Sequence, residues 1–238
     1  MDSFQLNKEN YEKIQDLEKL HSYFYQNSIK IIESRNPNSI QHQLLFISMV
    51  RIIKYIDSYL ILVKKGYGEP ANCILRSIFE GILWMRWSVM SRENAMIYFD
   101  SGKTELNNMV VNLIHEGLIP CIYDKEELKT KIKKRYINVS FPSWKKMARD
   151  VGLINFYKTV YPMLSAMSHG SYIFFGERIN EKKLSTEPDN KNILPFLGIA
   201  NILYTDAFKL LEQFILENKI YPLTEYEYFL KLKKFTKK

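Results

Sequence analysis

Tyr161, Ser165 and His169 fall four residues apart in the run YPMLSAMSHGSY. On a helix that spacing puts all three on one face, and it brings a ring that titrates near neutrality into an otherwise apolar stretch. A second run, LRSIFEG, carries Arg76 and Glu80, again four apart and within reach of each other. Their neighbours Ile74, Leu75, Ile78, Phe79, Ile82 and Leu83 are apolar, so the two charges are expected to be shielded from water. A buried charge left alone is costly, so they must pair with each other or with a group across the molecule. A third run, ISMVRIIKYIDSYLIL, places Arg51 beside Tyr55 and Ser58 on one side of a helix. Arg51, Arg76, Glu80 and His169 form the candidate constellation, with Tyr55, Tyr161, Ser165 and Ser171 as binding residues around it.

Two guanidiniums converging on one place would hold a phosphate or carboxylate in forked geometry. A histidine beside them can act as general acid or base, with Glu80 orienting or neutralising it. This set suits cleavage of a phosphodiester without a metal: arginine stabilises the developing negative charge while histidine moves a proton. It equally suits binding without chemistry, and a purely structural role in which Arg76 and Glu80 fix helix register and His169 is a satisfied core histidine. Other reagents are missing. The sequence has no Gly-rich phosphate loop and no His and carboxylate cluster with metal spacing, so no cofactor and no metal are expected. Ser165 and Ser171 lack the strand-to-helix elbow of a hydrolase nucleophile. His21, His42 and His115 stand singly and are expected to face solvent, whereas Trp84, Trp87 and Trp144 are expected to be core aromatics.

The elements that must position these residues are helical. Apolar positions recur at three-to-four spacing over 8–34. After ESRNPNS, Asn38 or Ser39 caps a second helix running to Gly66, apolar all round and hence expected to be central. Pro70 suits the first turn of a third helix, and a more polar fourth runs from about Arg92 to His115. A Lys-rich segment over 116–142 reads as an insert. A short helix in PSWKKMARDVG, one containing YPMLSAMSHGS with Gly170 as its C-cap, a long one from about Ile193 to Asn218 and a short C-terminal one complete the chain. Few runs alternate with period two. The expectation is an all-α, irregular multi-helix bundle of one domain, 1–238, with a basic tail at 229–238.

Forty-six per cent hydrophobic residues with only nine Gly and eight Pro exclude a disordered or fibrous chain. Cys73 and Cys121 are far apart and lack partners for a zinc site or disulfide framework, which fits a reducing, cytoplasmic setting. The first residues lack the pattern of a signal peptide, and stretches such as IFEGILWMRWSVM meet charge before spanning length, so no transmembrane segment is expected. The net charge of +8 is concentrated: Lys129, Lys131, Lys133, Lys134 and Arg135 lie within the insert, and FLKLKKFTKK ends the chain without an acid. Such patches favour polyanions through counterion release, which makes RNA or nucleotide a candidate partner.

At Arg51, LRSIFEG and YPMLSAMSHGS the chain resembles a bacterial family known as domain of unknown function 5677, over roughly residues 40–215. Its pattern is an arginine in a long apolar helix, then Arg-Ser-hydrophobic-hydrophobic-Glu, and later Tyr followed by LS and HGS. A looser similarity is to the HEPN group, helical bundles that often serve as metal-independent ribonucleases in toxin and phage-defence systems and commonly dimerise. That similarity implies an HEPN-like bundle, a metal-independent ribonuclease or nucleotide-processing effector, and a homodimer with isologous symmetry. RNPNSIQH, Arg35 to His42, matches the group's Arg-to-His spacing, but Pro37 pushes Asn36 out of helical geometry. The alternative is a binding module for a small anion, a nucleotide or a partner protein.

Overall fold

The computed structural model describes residues 4–33, 39–116, 142–169 and 193–217. Within them are eight helices and no strand: α1 (Lys8–Glu33), α2 (Ile40–Lys64), α3 (Gly68–Met90), α4 (Arg92–His115), α5 (Trp144–Asp150), α6 (Ile154–Thr159), α7 (Tyr161–Ser168) and α8 (Leu194–Glu217). The fold is an all-α, irregular multi-helix bundle. The Lys-rich stretch 117–141, the residues from Gly170 to Asn192 and the basic tail lie outside the described residues.

Local chemistry sets most of the boundaries. Ser39 caps α2 by accepting from the His42 N–H at 3.2 Å. Gly66 ends it in the left-handed region, at φ 78°, where a side chain would be strained. α3 begins at Gly68, so Pro70 falls in its first turn, where its missing N–H costs nothing. Ser143 caps α5 by accepting from Lys146 N–H, and Gly152 at φ 75° turns the chain after it. The single helix expected around YPMLSAMSHGS is two. Pro162 has no N–H to return to the Lys158 carbonyl, so α6 stops at Thr159 and α7 starts afresh with the proline in its first turn. The described C-cap of α7 is His169, whose N–H bonds the Ser165 carbonyl at 3.0 Å. Gly170 lies outside the described residues.

α3 is the hub. It packs against α2, α4, α5, α7 and α8, and its Leu75, Ile78, Phe79, Ile82 and Leu83 are fully buried. α1, α2 and α8 pack on one another behind it. α2, expected to be covered on all sides, is not: Ile47 is 65% exposed and Val50 and Ile61 share that outward side. Its buried face is Leu45, Met49, Ile52, Ile56, Tyr59 and Val63, which is the three-to-four repeat of a one-sided helix. The most apolar long helix is α8. Leu194–Ile215 has the length and hydropathy of a membrane-crossing helix, although about two-thirds of it is buried inside the bundle. Asp206 on α8 is buried against Arg86 of α3, its Oδ2 accepting from Nε at 2.8 Å and its Oδ1 from Nη2.

Candidate polar ligand site

Three of the four residues of the candidate constellation meet, together with Tyr161. Arg76 and Glu80 occupy one face of α3, one turn apart, and that face looks onto α7. Glu80 Oε1 accepts from Arg76 Nε at 2.9 Å and from the Tyr161 hydroxyl at 2.8 Å. Arg76 Nη1 donates to His169 Nε2 at 2.7 Å. A guanidinium has only donors, so Nε2 is the acceptor in this contact and the proton of a neutral ring sits on Nδ1. The Arg76 guanidinium carbon also lies 5.5 Å from the centre of the Tyr161 ring, which stacks on Tyr157 at 4.8 Å.

The cluster is shielded but open at one edge. The side chains of Arg76 and Glu80 are each 22% exposed, Tyr161 is buried and His169 is exposed. Burial alone would lower the Arg76 guanidinium's proton affinity, but the Glu80 hydrogen bond and charge, helped by Tyr161, carry it the other way. Burial, then the hydrogen bond and charge of Glu80, push the Tyr161 hydroxyl up to about 12. Both effects hold the network in one protonation state: arginine charged, phenol neutral. Glu80 does not orient the imidazole, as the spacing had suggested. Arg76 stands between them, donating Nε to Glu80 and Nη1 to His169.

Arg51 does not join Arg76. Its Nε donates to the Tyr55 hydroxyl at 2.9 Å, with the guanidinium 5.3 Å from the Tyr55 ring centre. Both residues line a cavity of about 210 Å³ between α2, α3, α4 and α5, which Glu80 also lines. Arg76 and His169 are not in its wall. Glu80 is thus shared between a hydrogen-bonded cluster and a hollow. Ser165 is half-buried on the Tyr161 and His169 face of α7. Ser171 and the basic residues Lys129, Lys131, Lys133, Lys134 and Arg135 lie outside the described residues. Among the described residues no group of three or more His, Cys, Asp and Glu could hold a metal ion.

Two of the remaining histidines depart from expectation, and the side chain of the third, His115, lies outside the described residues. His21 is only 13% exposed: Nε2 lies 2.7 Å from Asp57 Oδ1 and Nδ1 lies 3.0 Å from the Tyr204 hydroxyl, joining α1, α2 and α8. His42 is half-buried, its Nδ1 2.9 Å from the capping Ser39 Oγ and its ring 5.2 Å from Phe214. That position makes it part of a helix start rather than one end of an Arg-to-His motif. Trp87 is buried and donates to Asp150 Oδ2 at 3.3 Å, whereas Trp84 and Trp144 are half-buried in the cavity wall. The Arg86 and Asp206 pair was not legible beforehand, since 120 residues separate its members.

No curated protein and no solved structure matches the chain. Residues 42–186 match the model of a family of unknown function, DUF5677. The matched span starts in α2 and runs past α7, so it contains Arg51, Arg76, Glu80, Tyr161 and His169 and leaves out α1 and α8.

Proposed function

Since the chain belongs to the family of unknown function DUF5677, which assigns no chemistry, we propose from its own residues that it binds a small anionic ligand, a nucleotide being the leading class. The observation that carries this reading is the 2.7 Å contact between Arg76 Nη1 and His169 Nε2. It occupies the ring nitrogen that a general base would use, and among the described residues it leaves further N–H groups of Arg76 and the Nδ1–H of His169 as a set of donors at the exposed edge. Glu80 cancels the formal charge of Arg76, so the cluster selects by hydrogen-bond direction, while Arg51 next door adds a positive charge that has no ion pair among the described residues.

The second reading is a metal-independent, HEPN-like ribonuclease of a toxin or phage-defence system, acting as a homodimer in the cytoplasm. What favours it is an arginine touching a histidine in a chain whose sequence is rich in Lys and Arg. It requires Arg76 to release Nε2 so that the ring can take a proton from the attacking hydroxyl. One experiment separates the two. The protein and its His169→Ala variant are incubated with total RNA in chelator, and their melting is followed with inorganic phosphate and nucleoside monophosphates. Binding predicts no cleavage and a rise in Tm of roughly 5–10 °C at a ligand concentration near a hundred times Kd. The rise shrinks in His169→Ala, whose exposed side chain can be removed without opening the core. RNA fragments that disappear with His169→Ala would overturn it in favour of cleavage.

A further inference from the structure

The cavity beside Glu80 has a composition that the anion reading does not use. Its wall includes Trp84 and Trp144, whose rings meet edge to face at 5.8 Å, and Tyr98, which stacks on Trp84 at 4.3 Å and 10°. Opposite chemistry lies on the same wall. Both hydrogen bonds of Glu80 fall on Oε1, leaving Oε2 without a partner among the described residues. Ser48, 4% exposed, also lines the cavity, while its hydroxyl oxygen is itself buried and without a hydrogen-bond partner among the described residues. Gly81, in the middle of α3, opens the floor. A Cβ there would meet Ile52 only at 3.7 Å, so no clash demands glycine, and a helix interior disfavours it.

We propose that this cavity holds the base of a nucleotide: a flat heteroaromatic ring against Trp84, Tyr98 and Trp144, with a ring or exocyclic N–H donated to Glu80. About 210 Å³ is below the roughly 300–1,000 Å³ of pockets that enclose whole drug-sized ligands. One ring system enters, and the anionic remainder stays at the mouth, where the exposed Arg51 waits. The inference deepens the nucleotide reading and rests on it for the ligand's identity, not for the ring's place.

The test uses nucleosides, which carry no phosphate. Two of the three tryptophans line the cavity, so their emission reports its occupancy. Guanosine and adenosine should change that emission saturably, and inorganic phosphate should not. Gly81→Ala, which leaves the fold intact, should weaken the effect, and Trp144→Ala, read by calorimetry, should weaken affinity by about 5- to 140-fold, the range for losing one stacking partner. His169→Ala should leave nucleoside binding unchanged. No saturable change with nucleosides, or binding that ignores both Gly81→Ala and Trp144→Ala, would overturn the proposal even if phosphate shifts Tm through His169. Nucleoside binding without any phosphate or nucleotide effect of His169→Ala would instead uphold the cavity and remove the anion site. A short single-stranded oligonucleotide competing as well as the mononucleotide assigns the ring to RNA; competition by the mononucleotide alone assigns it to free nucleotide. Either upholds the cavity.

Discussion

Tyr161 donates its proton to a carboxylate that also holds an arginine, and this fixes how the cluster answers to alkali. The phenol is pushed from an ordinary 10 up to about 12 by burial first and by Glu80 second. Its folded value lies above its unfolded one, so the folded state holds the proton more tightly. The stabilisation is complete below about pH 10 and is lost as pH rises towards 12. Denaturant unfolding of the wild type and Tyr161→Phe across pH 8–12 should therefore show a gap in stability that is constant to about pH 10 and closes above it. A gap that stays constant to pH 12 would mean the hydroxyl is not held by Glu80. The residue types here were legible as a group because four-residue spacing places them on shared helix faces. The partners were not: spacing alone cannot say that Arg76 rather than Glu80 meets His169, because that depends on how far α7 slides along α3.

At the scale of the element, α3 is built around Gly81. Glycine in a helix interior costs about 0.5–1 kcal/mol relative to alanine, and the Cβ of an alanine would rest in ordinary contact on Ile52. Gly81→Ala should therefore raise Tm by roughly 1–4 °C. Unchanged or lowered Tm by scanning calorimetry would show that the space between α2 and α3 is tighter than this. α7 illustrates the opposite situation, where a local rule decides. Pro162 was visible in the sequence, but that its missing N–H makes the helix restart at Tyr161 was not drawn from it. α2 was misread as covered on all sides because Ile47, Val50 and Ile61 are apolar, yet they face outward. Apolar residues do sit on surfaces, and composition around a helix does not say which side is covered.

For the whole molecule the decisive pair is Arg86 and Asp206. It ties the hub α3 to α8 from inside the core, with side chains 5% and 1% exposed. Removing Asp206 leaves the Arg86 charge buried without its carboxylate, a loss of about 3–5 kcal/mol. Asp206→Ala should lower Tm by on the order of 10 °C or more, with the double variant Arg86→Met, Asp206→Leu recovering much of it. If the single variant melts within about 2 °C of wild type, water reaches the pair and the core is looser than described. The His21, Asp57 and Tyr204 chain does similar work at the opposite side of α8, joining it to α1 and α2.

The sequence by itself determined that the chain is helical, that α2 is capped at Asn38 or Ser39 and stops at Gly66, and which residues carry charge on apolar helices. These are properties of neighbours within about four positions, and local sterics and hydrogen bonding decide them. Only the tertiary structure decided that Arg51 sits with Tyr55 in a hollow apart from Arg76, that Trp84 and Trp144 form its wall, and that Asp206 finds Arg86. Those outcomes depend on how helices distant in sequence rotate and slide to fill one core, and packing a common core ties each helix's position to the others'.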